Sequence, residues 1–209
     1  MKLTKYQHAC FVVELNEHAI VIDPGEFTKH FITPNNVAGV VATHQHGDHI
    51  DINILTDIVR RYPEVSIFTT ADTDLSLKHS VATPASTVTI GKFSLLFGGG
   101  DHAIIDSSIP RVHNISVHIN DLVYYPGDSF TVSTKPVKIL MLPVAAPWMK
   151  ISEALDFVRA TKPQQVIPTH DAILSEAGQA IADRLVGNLC TELGITYTRL
   201  SSGESILVA

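Results

Sequence analysis

The chain has 209 residues and a formal net charge of −6 with no basic run, which argues against a surface built to grip a phosphate backbone; nucleic acid is not an expected partner. Hydrophobic residues at 45% and charged residues at 17% are the proportions of a soluble globular protein with one substantial core, so one domain over residues 1–209 is expected. Apolar runs fall short of the roughly 20 residues that span a bilayer, and the opening "MKLTKYQHACF" lacks a signal-peptide profile, so the expected location is cytoplasmic, without membrane attachment.

In chain order, β-branched and aromatic runs predict strands at Cys10 to Leu15, Ala19 to Ile22, Val40 to Ala42, Ser66 to Thr69, Val88 to Ile90, Phe93 to Phe97 and Ile115 to Ile119. Further strands are predicted at Leu122 to Tyr125, Ile139 to Leu142, Val166 to Ile167 and Thr196 to Arg199. Helical spacing marks "DINILTDIVRRY", entered at about Ile50, then "SEALDFVRAT" with Ser152 as its N-cap, then "SEAGQAIADRLVGNLCTEL" ended by Gly194. Turns are signalled by "DPGE" and by Asn120-Asp121, which joins two strands as a hairpin. Such a strand-rich chain with interspersed helices suits two packed sheets flanked by helices. "FGGGDH" lacks phosphate-loop spacing and is expected to let backbone pass close to a neighbour. Cys10 and Cys190 have no CxxC partner and read as small buried apolar groups.

The stretch "VVATHQHGDHIDI" crowds chemistry into a strand-to-helix loop. His44 and His46, two apart, project to one side, while Asp48 and His49 lie where the chain turns into the helix, so two pairs of donors can face two neighbouring points. Neutral imidazoles and a carboxylate are the donors that zinc and its first-row neighbours prefer. A site for two metals also needs a bridging carboxylate and further nitrogen donors. His102 in "GGGDHA", Asp128 in "YYPGDSF" and His170 in "QVIPTHDA" each follow a hydrophobic run, so one sheet rim could gather them.

With "VIDPG", "THQHGDH", the isolated His102, "YPGD" and "IPTH" in that order, the chain resembles the metallo-β-lactamase superfamily over nearly its whole length. The stretches "KYQHACFVVELNEHAIVIDPG" and "LPVAAPWMKISEALDFVRATKPQQVIPTH" look most like the compact metal-dependent hydrolase branch related to the ascorbate-phosphate lactonase. The resemblance implies a four-layer αββα sandwich with the site along one edge of the two sheets. It implies that His44, His46 and His102 hold one metal, that Asp48, His49 and His170 hold another, and that Asp128 bridges them. Asp23 would support the metal loop through hydrogen bonds. Relatives often carry Gly-His near the N-terminus where this chain has Gln7-His8, which leaves the form of that turn open.

The expectation is therefore a metal-dependent hydrolase in which a hydroxide shared by two cations cleaves an ester, lactone or phosphodiester bond in a small molecule. Asp48 would orient that nucleophile, and His113 and His8 are the candidates to protonate the leaving group. Zinc fits the donors, as manganese, iron and nickel do. Two alternatives stand beside it: a mononuclear iron oxidoreductase on the same frame, and a non-catalytic metal-binding protein. The absence of an RNA-gripping insertion argues against nuclease branches, and the lack of an export signal against antibiotic hydrolysis. Trp148, in "PVAAPWMK", fits a pocket wall and a core position equally well. Periodicity leaves a homo-oligomer open.

Overall fold

The computed structural model describes residues 1–208, and their apolar alternation accounts for most of the fold. The first half supplies β1 (Lys2–Lys5), β2 (Phe11–Leu15), β3 (His18–Ile22), β4 (Val37–Val41), α1 (Ile52–Arg61), β5 (Ser66–Thr69) and β6 (Ser80–Val81). Then follow β7 (Thr87–Ile90), β8 (Phe93–Asp101), β9 (His113–Ile119), β10 (Val123–Tyr125), β11 (Ile139–Pro143), α2 (Ile151–Thr161), β12 (Gln165–Thr169), α3 (Glu176–Leu193), β13 (Thr196–Tyr197) and β14 (Ser205–Leu207). They form two seven-stranded sheets, ordered β14-β1-β2-β3-β4-β5-β6 and β13-β12-β11-β10-β9-β8-β7.

Side chains alternate across a strand, so one strand serves two interfaces. On β2, Phe11 and Val13 enter the core between the sheets, while Val12 joins Val21, Val40 and Ile67 beneath Leu55 and Ile58 of α1. On β11, Ile139 and Met141 face the other sheet, and Leu140 and Leu142 pack against Phe157 and Val158 of α2 and Val186 and Leu189 of α3. Three apolar layers thus separate four structural layers, the expected αββα order.

Strand direction places the chemistry. β3, β4 and β5 run parallel, and β10, β11 and β12 run parallel, while β8 and β10 are each antiparallel to β9 and hence parallel to each other. The C-terminal ends of β8, β10, β11 and β12 therefore share one edge, and those of β3 and β4 share one in the facing sheet. The hairpin at Asn120-Asp121 forms with φ of 52° and 54°, the mirror-image turn that matches strand twist. In "FGGG", a Cβ on Gly99 would lie 2.9 Å from the Asn114 carbonyl oxygen, and φ is +83°, so only glycine lets β8 follow β9 there.

Several elements differ from the sequence expectation. α1 starts at Ile52 rather than near Ile50, because Asp51 caps it by accepting from the Asn53 and Ile54 amides. α2 starts at Ile151, not after a Ser152 cap: the Glu153 carboxylate accepts from the Lys150 amide at 2.6 Å, which places the helix start one turn before it. β13 stops at Tyr197 because Arg199 leaves the strand to pair with Asp171 and Asp183. Gly194 ends α3 in the left-handed conformation as expected, and both cysteines are free and buried. Among the described residues, no helix is long and apolar enough to cross a membrane.

Phe97 is fully buried between the sheets against Phe68. Phe97→Ala should lower the unfolding free energy by about 3–5 kcal/mol in a urea titration of metal-stripped protein.

Candidate metal centre

Asp23 directly follows β3, at φ 44°, and is wholly buried, and its carboxylate organises the loop after β4. Its Oδ1 accepts from the Thr43 amide at 2.7 Å, and its Oδ2 accepts from the Thr43 hydroxyl at 2.7 Å and from Nδ1 of His49 at 2.6 Å. The "DPGE" turn braces the same loop: the Glu26 amide donates to Gly47 O, the Asp51 amide donates to Pro24 O, and a Cβ on Gly25 would fall 1.9 Å from Asp48 O. Only a glycine permits that backbone contact.

Around this loop the strand ends deliver the other donors. His102 directly follows β8, Asp128 lies three residues beyond β10, and His170 directly follows β12 with φ 59°. The N-terminal turn brings a fourth: His8, at φ 57°, lies between a Tyr6 amide bond to Cys10 O and a Cys10 amide bond to Gln7 O. The turn that Gln7-His8 left open is thus closed with His8 itself in the left-handed position. Two non-glycine residues in that region, bonded through the His170 amide to His8 O, mark a site held in shape by its surroundings.

The donors gather in three overlapping groups, each with ligand atoms within 4.8 Å of one another: His8, Asp48, His49 and His170; His44, His46 and His102; and His44, His49 and Asp128. Asp128 lies among the imidazoles, its oxygens 3.2 Å from Nε2 of His49, 3.5 Å from Nε2 of His102 and 3.1 Å from Nε2 of His170. All seven expected donors are brought to one place, with Asp48, 23% exposed at its side chain, the open one of the carboxylates.

The hydrogen bonds assign the ring nitrogens. Nδ1 of His49 donates to Asp23, Nδ1 of His102 to Ala103 O at 2.5 Å, and Nδ1 of His170 to Ala145 O at 2.6 Å. Each neutral ring is left with an Nε2 lone pair facing inward. Those three Nε2 atoms and Oδ1 of Asp128 are all buried without a hydrogen-bond partner. Acceptors converging on acceptors are unfavourable unless a cation stands between them, so the residues fit a metal. His8 differs: its Nδ1 accepts from the Ala172 amide at 3.3 Å, so its Nε2 carries the proton and donates to Asp48 Oδ2 at 3.1 Å.

The electrostatics agree. Without a cation, a proton is favoured in its place: burial pulls His170 down, but the nearby Asp128 and Asp48 carboxylates outweigh it and push it up to about 9. His49 is likewise depressed by burial, yet Asp128 and Asp23 together hold it well above the ordinary imidazole value. His44 and His46 shift the other way, burial first and neighbouring imidazoles second.

His113 does not join this cluster. It begins β9 with its side chain 59% exposed, and Asp72 takes both its amide at 2.8 Å and its Nδ1 at 3.2 Å, which turns the imidazole away to the rim. Trp148, by contrast, is buried, and its Nε1–H donates to Asp128 Oδ2 at 2.7 Å. That bond spans twenty residues of sequence; a lone tryptophan beside a strand end was its only signal. A second omission is the network behind His170, where Arg199 pairs with Asp171 and Asp183, and buried Lys5 lies 3.5 Å from Asp171.

The β-lactamase superfamily domain profile matches residues 2–170, and the chain belongs to that family, with the metallo-β-lactamase fold in its compact form. Protein Rv0786c of Mycobacterium tuberculosis is 33% identical over 192 residues, covering 87% of this chain and 89% of that protein. A UPF0173 metal-dependent hydrolase of Ignicoccus hospitalis is 25% identical over 197 residues, covering 81% of this chain and 82% of the relative. In three dimensions, Igni18, a metallo hydrolase from the same archaeon, superposes with a TM-score of 0.74 at 22% identity, over 98% of this chain and 97% of that one.

Because the Asp128 and Asp48 carboxylates favour the protonated form of His170 when no cation is bound, metal uptake at neutral pH must displace that proton. Zinc affinity of chelator-stripped protein should therefore strengthen as pH is raised from about 6 to about 8, with proton release seen by calorimetry in two buffers. An affinity independent of pH would remove the imidazoles from coordination.

Proposed function

We propose that this chain is a dinuclear metal-dependent hydrolase that cleaves an ester, lactone or phosphodiester bond in a small molecule. The observation that carries this is the set of three inward-facing, partnerless Nε2 atoms around the buried Asp128 carboxylate. His44, His46 and His102 would hold one ion, Asp48, His49 and His170 the other, and Asp128 both; zinc suits this set of nitrogen and carboxylate donors. When bound, two divalent cations supply an activated water at neutral pH and polarise the oxygen of the bond under attack.

The protein's own groups supply the rest. Asp48 is the more exposed carboxylate of the centre, so it can orient a water as well as bind, and His8 fixes its rotation through the Nε2–H bond. His49, His102 and His170 direct their Nδ1–H outward, whereas His8 directs its Nε2–H toward the centre; because its Nδ1 accepts from the Ala172 amide the ring is neutral, so His8 acts by holding Asp48 rather than by giving a proton to a leaving group, and His113 faces the rim. Beside His8 opens a cavity of about 540 Å³, lined by Lys5, Phe27, Lys29, Asp171 and Arg199 among others, a volume suited to a small substrate. The hydrolase reading is also supported by the relative and the neighbour that carry that description.

Elemental analysis of protein purified without added metal or chelator should find about two zinc or manganese ions per chain, with turnover of bis-p-nitrophenyl phosphate or a simple lactone. One iron per chain and no hydrolysis would replace this proposal with an oxidative one. Asp128→Ala should abolish metal content and activity together, whereas His8→Gln should keep the metal and lower kcat by roughly 10–100-fold by releasing Asp48.

A further inference from the structure

Trp148 is the single tryptophan of the chain, and it lies between β11 and α2 with only 8% of its surface exposed. Its ring is wedged edge-on against Phe130 at 5.1 Å between centroids, and Phe130 is backed by Phe157 of α2 at 5.1 Å. On its other side it meets the His102 ring at 6.1 Å. The wedge points Nε1–H at Asp128 Oδ2, while the backbone of Asp128 is held separately by its amide bond to Asn114 Oδ1 at 2.9 Å.

The chemistry of that donor is specific. An indole N–H can donate but can neither ligate a cation nor change its charge near neutral pH. The terminal torsion of an aspartate is soft, so a buried carboxylate with one free oxygen could swivel among the surrounding imidazoles. Bonding Oδ2 to Trp148 stops that rotation without neutralising the carboxylate, and Oδ1 remains unpartnered.

We propose that Trp148 is a positioning residue of the centre, whose N–H bond sets the orientation of the Asp128 carboxylate for metal binding and whose indole emission reports whether that carboxylate is coordinated. This rests on the metal reading above. Partners that orient ligands in this way typically contribute 10–100-fold in metal affinity.

The test is competition for zinc against a chromophoric chelator, using wild type, Trp148→Phe and Phe130→Leu. Trp148→Phe should bind zinc roughly 10–100-fold more weakly, and Phe130→Leu, which loosens the packing but keeps the N–H, should stay within about threefold of wild type. Equal affinity in wild type and Trp148→Phe, or equal loss in both variants, overturns the proposal, since the second result would make the indole mere packing. Wild-type protein that takes up no zinc overturns the metal reading and this inference with it. A second measurement needs no variant: indole emission of the wild type should change on stripping and return on zinc reloading. Identical emission in both states overturns the proposal even if Trp148→Phe does not fold.

Discussion

A single buried carboxylate, Asp23, carries the arrangement on which the rest of the centre depends. An isolated charge at zero exposure would cost several kcal/mol, and it is tolerated because an amide, a hydroxyl and an imidazole all donate to it. Those bonds tie the end of β3 to the loop after β4 and select the His49 tautomer. Through the Thr43 hydroxyl they also reach Nδ1 of His44 at 3.1 Å. The direction of the inward-facing His49 Nε2 is thus decided by a carboxylate on the far side of its ring.

Beneath this polar layer the structure is apolar and alternating, and the division explains what could be read from the sequence. β2, β4, β5 and β11 were legible because their side chains divide between two buried faces, which leaves nearly continuous hydrophobic runs, and β8 because Phe93, Leu95 and Phe97 line one buried face. β1 was not, since "KLTK" looks polar; Lys5 is buried there only because Tyr6 O accepts its ammonium at 2.6 Å and Asp171 lies nearby, a partner 166 positions away. β6 is two residues long with exposed side chains, and β14 is three with only Ile206 against the core, so their pairing rests mainly on backbone hydrogen bonds that leave little mark in composition.

The candidate site divides in the same way. His44, His46, Asp48 and His49 announce themselves by local spacing, and His102, Asp128 and His170 by their place after apolar runs. The tautomers of His49 and His170, by contrast, are set by distant groups, the Asp23 carboxylate and Ala145 O, and no spacing encodes them. The same holds for His113, whose partner Asp72 comes from the other half of the chain and holds it at the rim. Trp148 could be placed near a strand end but not aimed, because its aim depends on Phe130 and α2.

The pairing of β1 with β14 has a consequence for how the chain comes into being. The two sheets are not finished in the order in which they are made: β13 closes one edge of the second sheet, and the chain then crosses to lay β14 along β1, whose other edge already holds β2. During synthesis β1 therefore waits with an open backbone edge for a partner roughly two hundred residues downstream, and the exposed Lys2 side chain on so short a strand is the kind of charged guard that discourages a wrong partner in the interval.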